Sequence, residues 1–240
     1  MALANATRKI KIDITSDSIC PFCFIGKRKL DKAIEVVKQK GLNIEISRQF
    51  HPFLLDPTLV DDVPQDKRAR YESKFGKERF VQMEKMMKGR GKEVGIEFSY
   101  DGPLSQTTNS HRLISLAYDK GGEALQLSLV ENLFSGYFEH GADIGSREFL
   151  SEQAVKAGVF SSVEECKEWL ATDAKKQASE VARGIRDAQL QGISGVPFFV
   201  VDEKYAVSGA QDPEVFVQIF EKLAKDQSPV KKDEDGAQCY

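Results

Sequence analysis

A strand, a Cys-x-x-Cys pair and a helix follow one another near the start of the chain, and that succession restricts the fold more than any other feature. Lys9-Ile10-Lys11-Ile12-Asp13-Ile14 alternates charged and apolar residues at the period of a strand. Leu30, Ala33, Ile34 and Val37 recur at i, i+3, i+4 and i+7, the period of a helix. Between them, Ser18-Ile19-Cys20-Pro21-Phe22-Cys23-Phe24-Ile25-Gly26-Lys27 holds two cysteines separated by two residues. The pair therefore sits where a strand turns into the first turn of a helix.

That position has chemical consequences. A helix N-terminus presents unpaired N–H groups and the positive end of the macrodipole, and both favour a thiolate over a thiol. In Cys-x-x-Cys motifs at such sites the first thiol can fall from a pKa of roughly 8.5 to about 3.5–7. Cys20, at the turn, is the expected nucleophile. Cys23, one helical turn further in, is placed to resolve a mixed disulfide. Pro21 has no N–H to satisfy and suits the first helical position. A structural zinc site needs two further ligands at suitable spacing. Cys166 and Cys239 stand alone, and His51, His111 and His140 show no ligand pairing, so no metal is expected.

The 240 residues, 41% of them apolar, suffice for one large domain or for one domain carrying an insertion. A net charge of −3 gives no electrostatic case for nucleic acid or for an anionic membrane. No apolar run approaches the ~20 residues of a membrane span. Four cysteines, two together and two isolated, are too few for a disulfide scaffold and fit a reducing compartment with one catalytic pair. Met1 to Thr7 carries no apolar h-region, so a cytoplasmic location is the expectation, as a monomer or a homodimer.

Gly41, after Lys38-Gln39-Lys40, ends the first helix, and Leu42 to Ser47 alternates as a second strand. Strand, crossover helix and strand make a βαβ unit with a parallel pair. Arg48 to Pro57 carries two prolines and reads as a loop at the strand's C-terminal end, the edge where α/β sheets bind ligands; His51 lies in it. From Asp61 to Gln191 the periodicity is helical throughout. A helix over 78–93 carries Phe80, Met83 and Met87 on one side, with Gly89, Gly91 and Gly95 expected to break it. Met83, Met86 and Met87 are expected to fill core space, a soft substrate-facing patch being the alternative. A helix through His111 to Tyr118 stops at Gly121-Gly122, and the next buries Leu127, Val130, Phe134 and Phe138. His111, near a helix N-terminus, is either a structural hydrogen-bonding residue or a contributor to the site.

Ser146 is expected to cap a helix closed by Gly158, and Ser162 with Glu165 forms a capping box before a helix holding an inert Cys166. Asp173 opens a helix ending at Gly192. Strand chemistry then returns in Gly195-Val196-Pro197-Phe198-Phe199-Val200-Val201, with Tyr205 to Ser208 as an antiparallel partner. Asp212 is expected to cap a last helix that opens at Pro213, with Val215, Ile219 and Leu223 inward. Residues 228–240 are charged and aperiodic, and disorder is expected there.

Four of these segments together resemble the DsbA-like oxidoreductases, and within them the FrnE-like group: Cys20 to Lys27, Asn109-Ser110-His111-Arg112-Leu113, Gly195 to Phe199, and Ser208-Gly209-Ala210-Gln211. The resemblance spans about residues 8 to 225. It implies an α/β architecture, a thioredoxin fold with a large all-helical insertion. The thioredoxin-like domain would comprise residues 1–60 and 192–227, and the inserted helical domain residues 61–191. It also implies a cis Val196–Pro197 bond opposite the cysteines, with the Val196 backbone free to pair with an extended substrate. Cys20 and Cys23 are then catalytic, and Pro21, Phe22, Val196, Pro197, His51 and His111 contact the substrate.

The activity so implied is thiol–disulfide exchange with a disulfide- or thiol-containing peptide or small molecule. No cofactor is bound, and glutathione serves as co-substrate. Pro21-Phe22 lacks the histidine of the most oxidising DsbA enzymes, so a less oxidising disulfide is expected. Two other readings share the architecture. The 2-hydroxychromene-2-carboxylate isomerases and kappa-class glutathione transferases use a serine where this chain has Cys20. A redox-independent peptide-binding module would use the same cleft.

Overall fold

The computed structural model describes residues 7–172 and 175–226; the tail expected to be disordered, Cys239 and Asp173 lie outside them. The chain opens with β1 (Arg8–Ser16), α1 (Pro21–Gln39) and β2 (Ile44–Pro52). It continues through β3 (Gln65–Asp66), α2 (Lys67–Phe75), α3 (Lys77–Lys92), β4 (Pro103–Leu104), α4 (Thr108–Phe138), α5 (Arg147–Ala157), α6 (Val163–Ala171) and α7 (Lys175–Leu190). It closes with β5 (Phe198–Val201), β6 (Tyr205–Ser208) and α8 (Pro213–Lys225).

The main sheet has the order β2-β1-β5-β6. β1 pairs in parallel with β2 and antiparallel with β5, and β6 returns antiparallel to β5. This is the α/β thioredoxin arrangement, with helices inserted between β2 and β5. β1 is the shared strand. Its Ile10, Ile12 and Ile14 are buried on the face that carries Phe199, against which α1 and α8 pack. The ring of Phe216 on α8 meets that of Phe199 edge-on at 5.0 Å. α7 lies along β2, and Gly184 lets it approach Pro52 closely, since a Cβ there would stand 2.8 Å from the Pro52 ring.

The inserted helices are bound to this frame by polar and aromatic contacts. β2 is an edge strand, and the Gln126 amide of α4 closes its edge. Gln126 Oε1 accepts from the Phe50 N–H at 2.7 Å, while its Nε2 donates to the Phe50 carbonyl at 3.1 Å. At Phe50 the edge is thus occupied by a side chain of the insertion. Lys27, largely buried, reaches Asp31 and Glu131, each at 2.8 Å, and Arg28 joins Glu131. Arg48 of β2 bridges Asp31 and Glu123 at 2.5 and 2.7 Å. Phe24, fully buried, packs its ring against Phe134 and Phe138 of α4 at 5.2 and 6.0 Å.

Several local expectations change. Gln65–Asp66 pairs with Leu104–Pro103 inside the segment read as wholly helical; two residues are too few to show a period. α3 runs through Gly89 and Gly91 to Lys92, because Gly91 serves space rather than termination: a Cβ there would stand 2.4 Å from the Phe98 ring. At Gly121 and Gly122 the backbone leaves helical geometry, with φ of −147° and 64°, so the expected stop is there: α4 is two helices joined across a kink at this pair. Asp212 precedes α8 but makes no cap; its carboxylate takes Lys29 at 2.6 Å. Ser162 accepts from the Glu165 N–H at 3.2 Å as expected, whereas the Glu165 carboxylate reaches Ser161 N rather than Ser162 N. Ser146 caps α5 and Gly158 closes it with φ of 90°.

Gly26, in the second turn of α1, faces the head of β5. A Cβ added there would stand 2.9 Å from Pro197 Cγ and 3.1 Å from the Phe199 ring. In an open helix Gly→Ala would stabilise by up to about 1 kcal/mol. Here overpacking, typically about 1–3 kcal/mol, opposes it. Gly26→Ala is expected to lower the unfolding free energy in urea; a gain in stability would show that α1 and β5 are not in close contact.

Candidate active site

The geometry of the sheet assembles the site. Thr15 of β1 lies opposite Phe198 of β5, so the turn leaving β1 and the segment entering β5 meet at one end of the sheet. Cys20 is the residue before α1, with φ −91° and ψ 111°, and Pro21 takes the first helical position. The Cys20 N–H donates to the Asp17 carbonyl at 3.1 Å, and the Cys23 N–H to the Cys20 carbonyl at 2.9 Å, which fixes the turn. The Val196–Pro197 peptide bond is cis. Cys20 Sγ donates to the Val196 carbonyl at 3.4 Å. Val196 lies outside the β1–β5 ladder, whose pairing begins at Phe198.

Both sulfurs are reduced and shielded, at 3% exposure for Cys20 and 2% for Cys23. Burial pushes the Cys23 thiol well above its ordinary value. The neighbouring Cys20 sulfur pushes in the same direction, and hydrogen bonds from Ser16 and the Asp17 backbone offset part of the rise. Cys23 is therefore held as a thiol. Cys166, on α6, is buried against α5, and burial raises its thiol too.

A cavity of ≈ 300 Å³ opens beside Cys20. Cys20, Pro21, Phe22 and Val196 form one side of it. α2 and α3 form another, through Lys67, Tyr71, Phe75, Phe80 and the three methionines. Of those methionines only Met87 is fully buried, and Met86 is exposed at the rim. The expectation that all three fill the core is corrected: they face the cavity, because α3 presents that side toward α1 rather than toward the interior. Tyr137 and Phe138, from the end of α4, form the floor with Phe98.

The two histidines are placed elsewhere. His51 bonds Asp13 at 2.7 Å and lines cavities under α7 with Gly184 and Asp187. The Asp13 carboxyl is held below its ordinary value: burial is the largest single effect and pushes it up, but the hydrogen bonds and charges of His51 and Lys11 together outweigh it. His111 Nε2 lies 3.0 Å from the Phe53 carbonyl and 3.3 Å from Asp17 Oδ1. A carbonyl only accepts, so Nε2 carries the proton. His111 thereby ties the turn after β1 to the loop after β2 without lining the Cys20 cavity. Pro197 packs against Gly26 beneath the sulfurs. Among the described residues no group of three or more His, Cys, Asp or Glu side chains is placed to hold a metal ion, and no helix is long and apolar enough to cross a membrane.

Lys67 is the residue that pattern reading misses. It opens α2 in a run rich in charge, yet it is only 4% exposed. Its Nζ donates to the Asp101 carbonyl at 2.8 Å and sits over the Tyr137 ring at 4.1 Å from the centroid. Burial pushes its ammonium down to about 8, while Asp101 and Asp143 pull the other way. No periodicity distinguishes one buried lysine from its exposed neighbours.

Fold and site together define a class, the thioredoxin-fold proteins with a cysteine pair at the first helix and a proline-headed strand facing it. The DSBA-like thioredoxin domain family matches residues 11–221, and the chain belongs to that family. Its structure is similar to that of a probable DsbA oxidoreductase from Streptomyces coelicolor, at 31% identity and a TM-score of 0.80, over 93% of each chain. In sequence it is 25% identical to an uncharacterized protein, YwbO, of Bacillus subtilis, over 92% of this chain and 99% of that one. The cytosolic disulfide reductase DsbM from Pseudomonas aeruginosa, solved with GSH, shares the fold at 14% identity and a TM-score of 0.55, over 89% of this chain and 95% of that one.

The folded state binds the Lys67 proton less readily than the unfolded chain does, whose lysines titrate near their ordinary 10.5. Between about pH 8 and 10.5 the unfolded chain therefore holds more protons at this position, and this group's contribution to stability rises with pH. The difference in unfolding free energy between wild type and Lys67→Met is expected to move in favour of the wild type across that window. A difference constant from pH 7 to 10.5 would place an ordinary, solvated lysine at position 67.

Proposed function

We propose that the protein is a thiol–disulfide oxidoreductase in which Cys20 is the nucleophile and Cys23 the resolving thiol. The observation that carries this reading is the 3.4 Å contact of Cys20 Sγ with the Val196 carbonyl at the edge of the cavity. A sulfur held there faces both the cavity and a backbone segment outside the ladder. Membership of the DSBA-like family supports the same chemistry.

In the reductive direction the Cys20 thiolate attacks one sulfur of a substrate disulfide. A Cys20–substrate disulfide forms, and the other substrate sulfur leaves as a thiolate. Cys23 then gives up its proton, which the departing thiolate takes, and attacks Cys20 Sγ. The Cys20–Cys23 disulfide forms and the second substrate sulfur leaves as a thiolate, which takes up the proton that Cys20 gave to solvent on becoming a thiolate, so two electrons and two protons have passed to the substrate. Two equivalents of an external thiol restore the dithiol; we assign this role to glutathione, in the cytoplasm. The oxidative direction runs the same steps in reverse. Pro21, Phe22 and Val196 flank the incoming sulfur, and Pro197 sets the position of Val196. The raised Cys23 thiol keeps the second nucleophile silent until the mixed disulfide has formed.

Cys20→Ser is expected to reduce glutathione-driven reduction of a model disulfide to the background rate. Cys23→Ser is expected to retain the first attack and accumulate a mixed disulfide on Cys20, seen as a mass increase reversed by dithiothreitol. Full turnover by Cys20→Ser would exclude the reading.

A further inference from the structure

We infer that the cavity beside Cys20 takes a small, largely apolar thiol or disulfide carrying a carboxylate, and that the Lys67 ammonium and the Tyr137 hydroxyl receive that carboxylate. The inference rests on the exchange reaction for the ligand's sulfur and goes beyond it for the ligand's other end.

The size and the walls set the first limit. A cavity of ≈ 300 Å³ lies at the small end of the range for small-molecule sites, which run from about 300 to 1,000 Å³. Phe22, Phe75, Phe80, Met83, Met86 and Phe138 give it an apolar and adaptable lining. Its charged lining is two lysines, Lys67 within and Lys74 toward the surface, and no carboxylate. Such a wall favours an anion.

The second limit comes from hydrogen-bonding capacity. A lysine ammonium has three donors. For Lys67 one goes to the Asp101 carbonyl, and the Tyr137 ring lies beneath the nitrogen. Among the described residues no carboxylate comes within ion-pairing distance, and Asp101 and Asp143 act on it only through their charge. Lysine is almost never fully buried unless paired, because an unpaired buried charge is costly. The Tyr137 hydroxyl is also buried and has no partner among the described residues. Two polar groups with unused donors thus lie against one another, Lys67 over the Tyr137 ring, in the lining of a largely apolar cavity.

A carboxylate satisfies both, one oxygen toward each donor, and its single charge matches the single buried ammonium. A phosphate monoester brings about −1.5 to −2 charges to the same place, which one ammonium does not balance. The loss of stability that a buried ammonium entails is then the counterpart of a binding function. The remainder of the ligand meets mainly the aromatic and methionine side chains of α2 and α3, with the Tyr71 hydroxyl beside them and Lys74 toward the surface.

The test uses two thioethers that cannot exchange, 4-(methylthio)benzoate and its uncharged counterpart thioanisole, with binding to the full chain measured by calorimetry. The carboxylate is expected to bind at least about tenfold more tightly than thioanisole. Lys67→Met is expected to weaken the carboxylate by about 10- to 100-fold and Tyr137→Phe by about 2- to 10-fold, the ranges for charged and neutral hydrogen bonds. Neither substitution should move thioanisole. Equal affinities for the two compounds, or unchanged carboxylate binding in Tyr137→Phe and in a folded Lys67→Met protein, would overturn the inference. Because neither probe reacts, Lys67-dependent binding without disulfide exchange would refute only the redox reading. Exchange without that discrimination would refute only this inference.

Discussion

The arrangement depends on one close approach, that of the first turns of α1 to the cis-proline head of β5. Cys20 Sγ meets the Val196 carbonyl, and in the second turn of α1 Gly26 leaves no room for a side chain against Pro197 and Phe199. Segments far apart in the chain can meet this way only because β1 is paired on both sides. Its parallel partner β2 directs α1 across one face, and its antiparallel partner β5 brings Pro197 to the end where α1 begins. The cysteine pair thereby acquires an ordered neighbour on the far side of the sulfur.

The inserted helices turn that junction into an enclosed site. Their attachment uses Phe24, one residue beyond Cys23, whose ring enters the α4 aromatic cluster, together with the Lys27–Glu131 and Arg48–Glu123 ion pairs. The helix that begins at the cysteine pair is also the one that anchors the insertion. α2, α3 and the end of α4 then close over Cys20 with apolar side chains and one buried ammonium. A purely apolar wall would have been easier to bury. The presence of Lys67 in it is a departure from core chemistry, of the kind that binding sites tolerate.

The frame was readable in the residues because each of its elements has a strong period or a strong punctuator. The alternation of Ile10, Ile12 and Ile14, the helical recurrence of Leu30, Ala33, Ile34 and Val37, and Pro21 and Pro213 at first helical positions all point one way. What stayed hidden depends on contacts between distant segments. Asp212 has the form of a helix cap, but Lys29 claims it. Gly91 has the form of a helix stop, but it exists to admit the Phe98 ring. His51 has prolines close after it and reads as a loop residue, yet β2 runs on through it to Pro52, and alternation turns its side chain to the face under α7, beside Asp13. The methionines of α3 are spaced like core residues, and only the position of α1 shows that they border a cavity. Lys67 gives no sign at all, because burial of one charge leaves no mark on a pattern of many.

The central claim is that the two sulfurs at the mouth of α1 form one redox couple apart from the other cysteines. Equilibration of the full chain against glutathione buffers of graded ratio, with acid quench, alkylation and mass mapping, measures this directly. The account predicts a single two-electron transition in which Cys20 and Cys23 become joined while Cys166 remains alkylated once the quenched chain is unfolded. Persistence of both thiols across every buffer, or a disulfide linking either of them to Cys166, would contradict it.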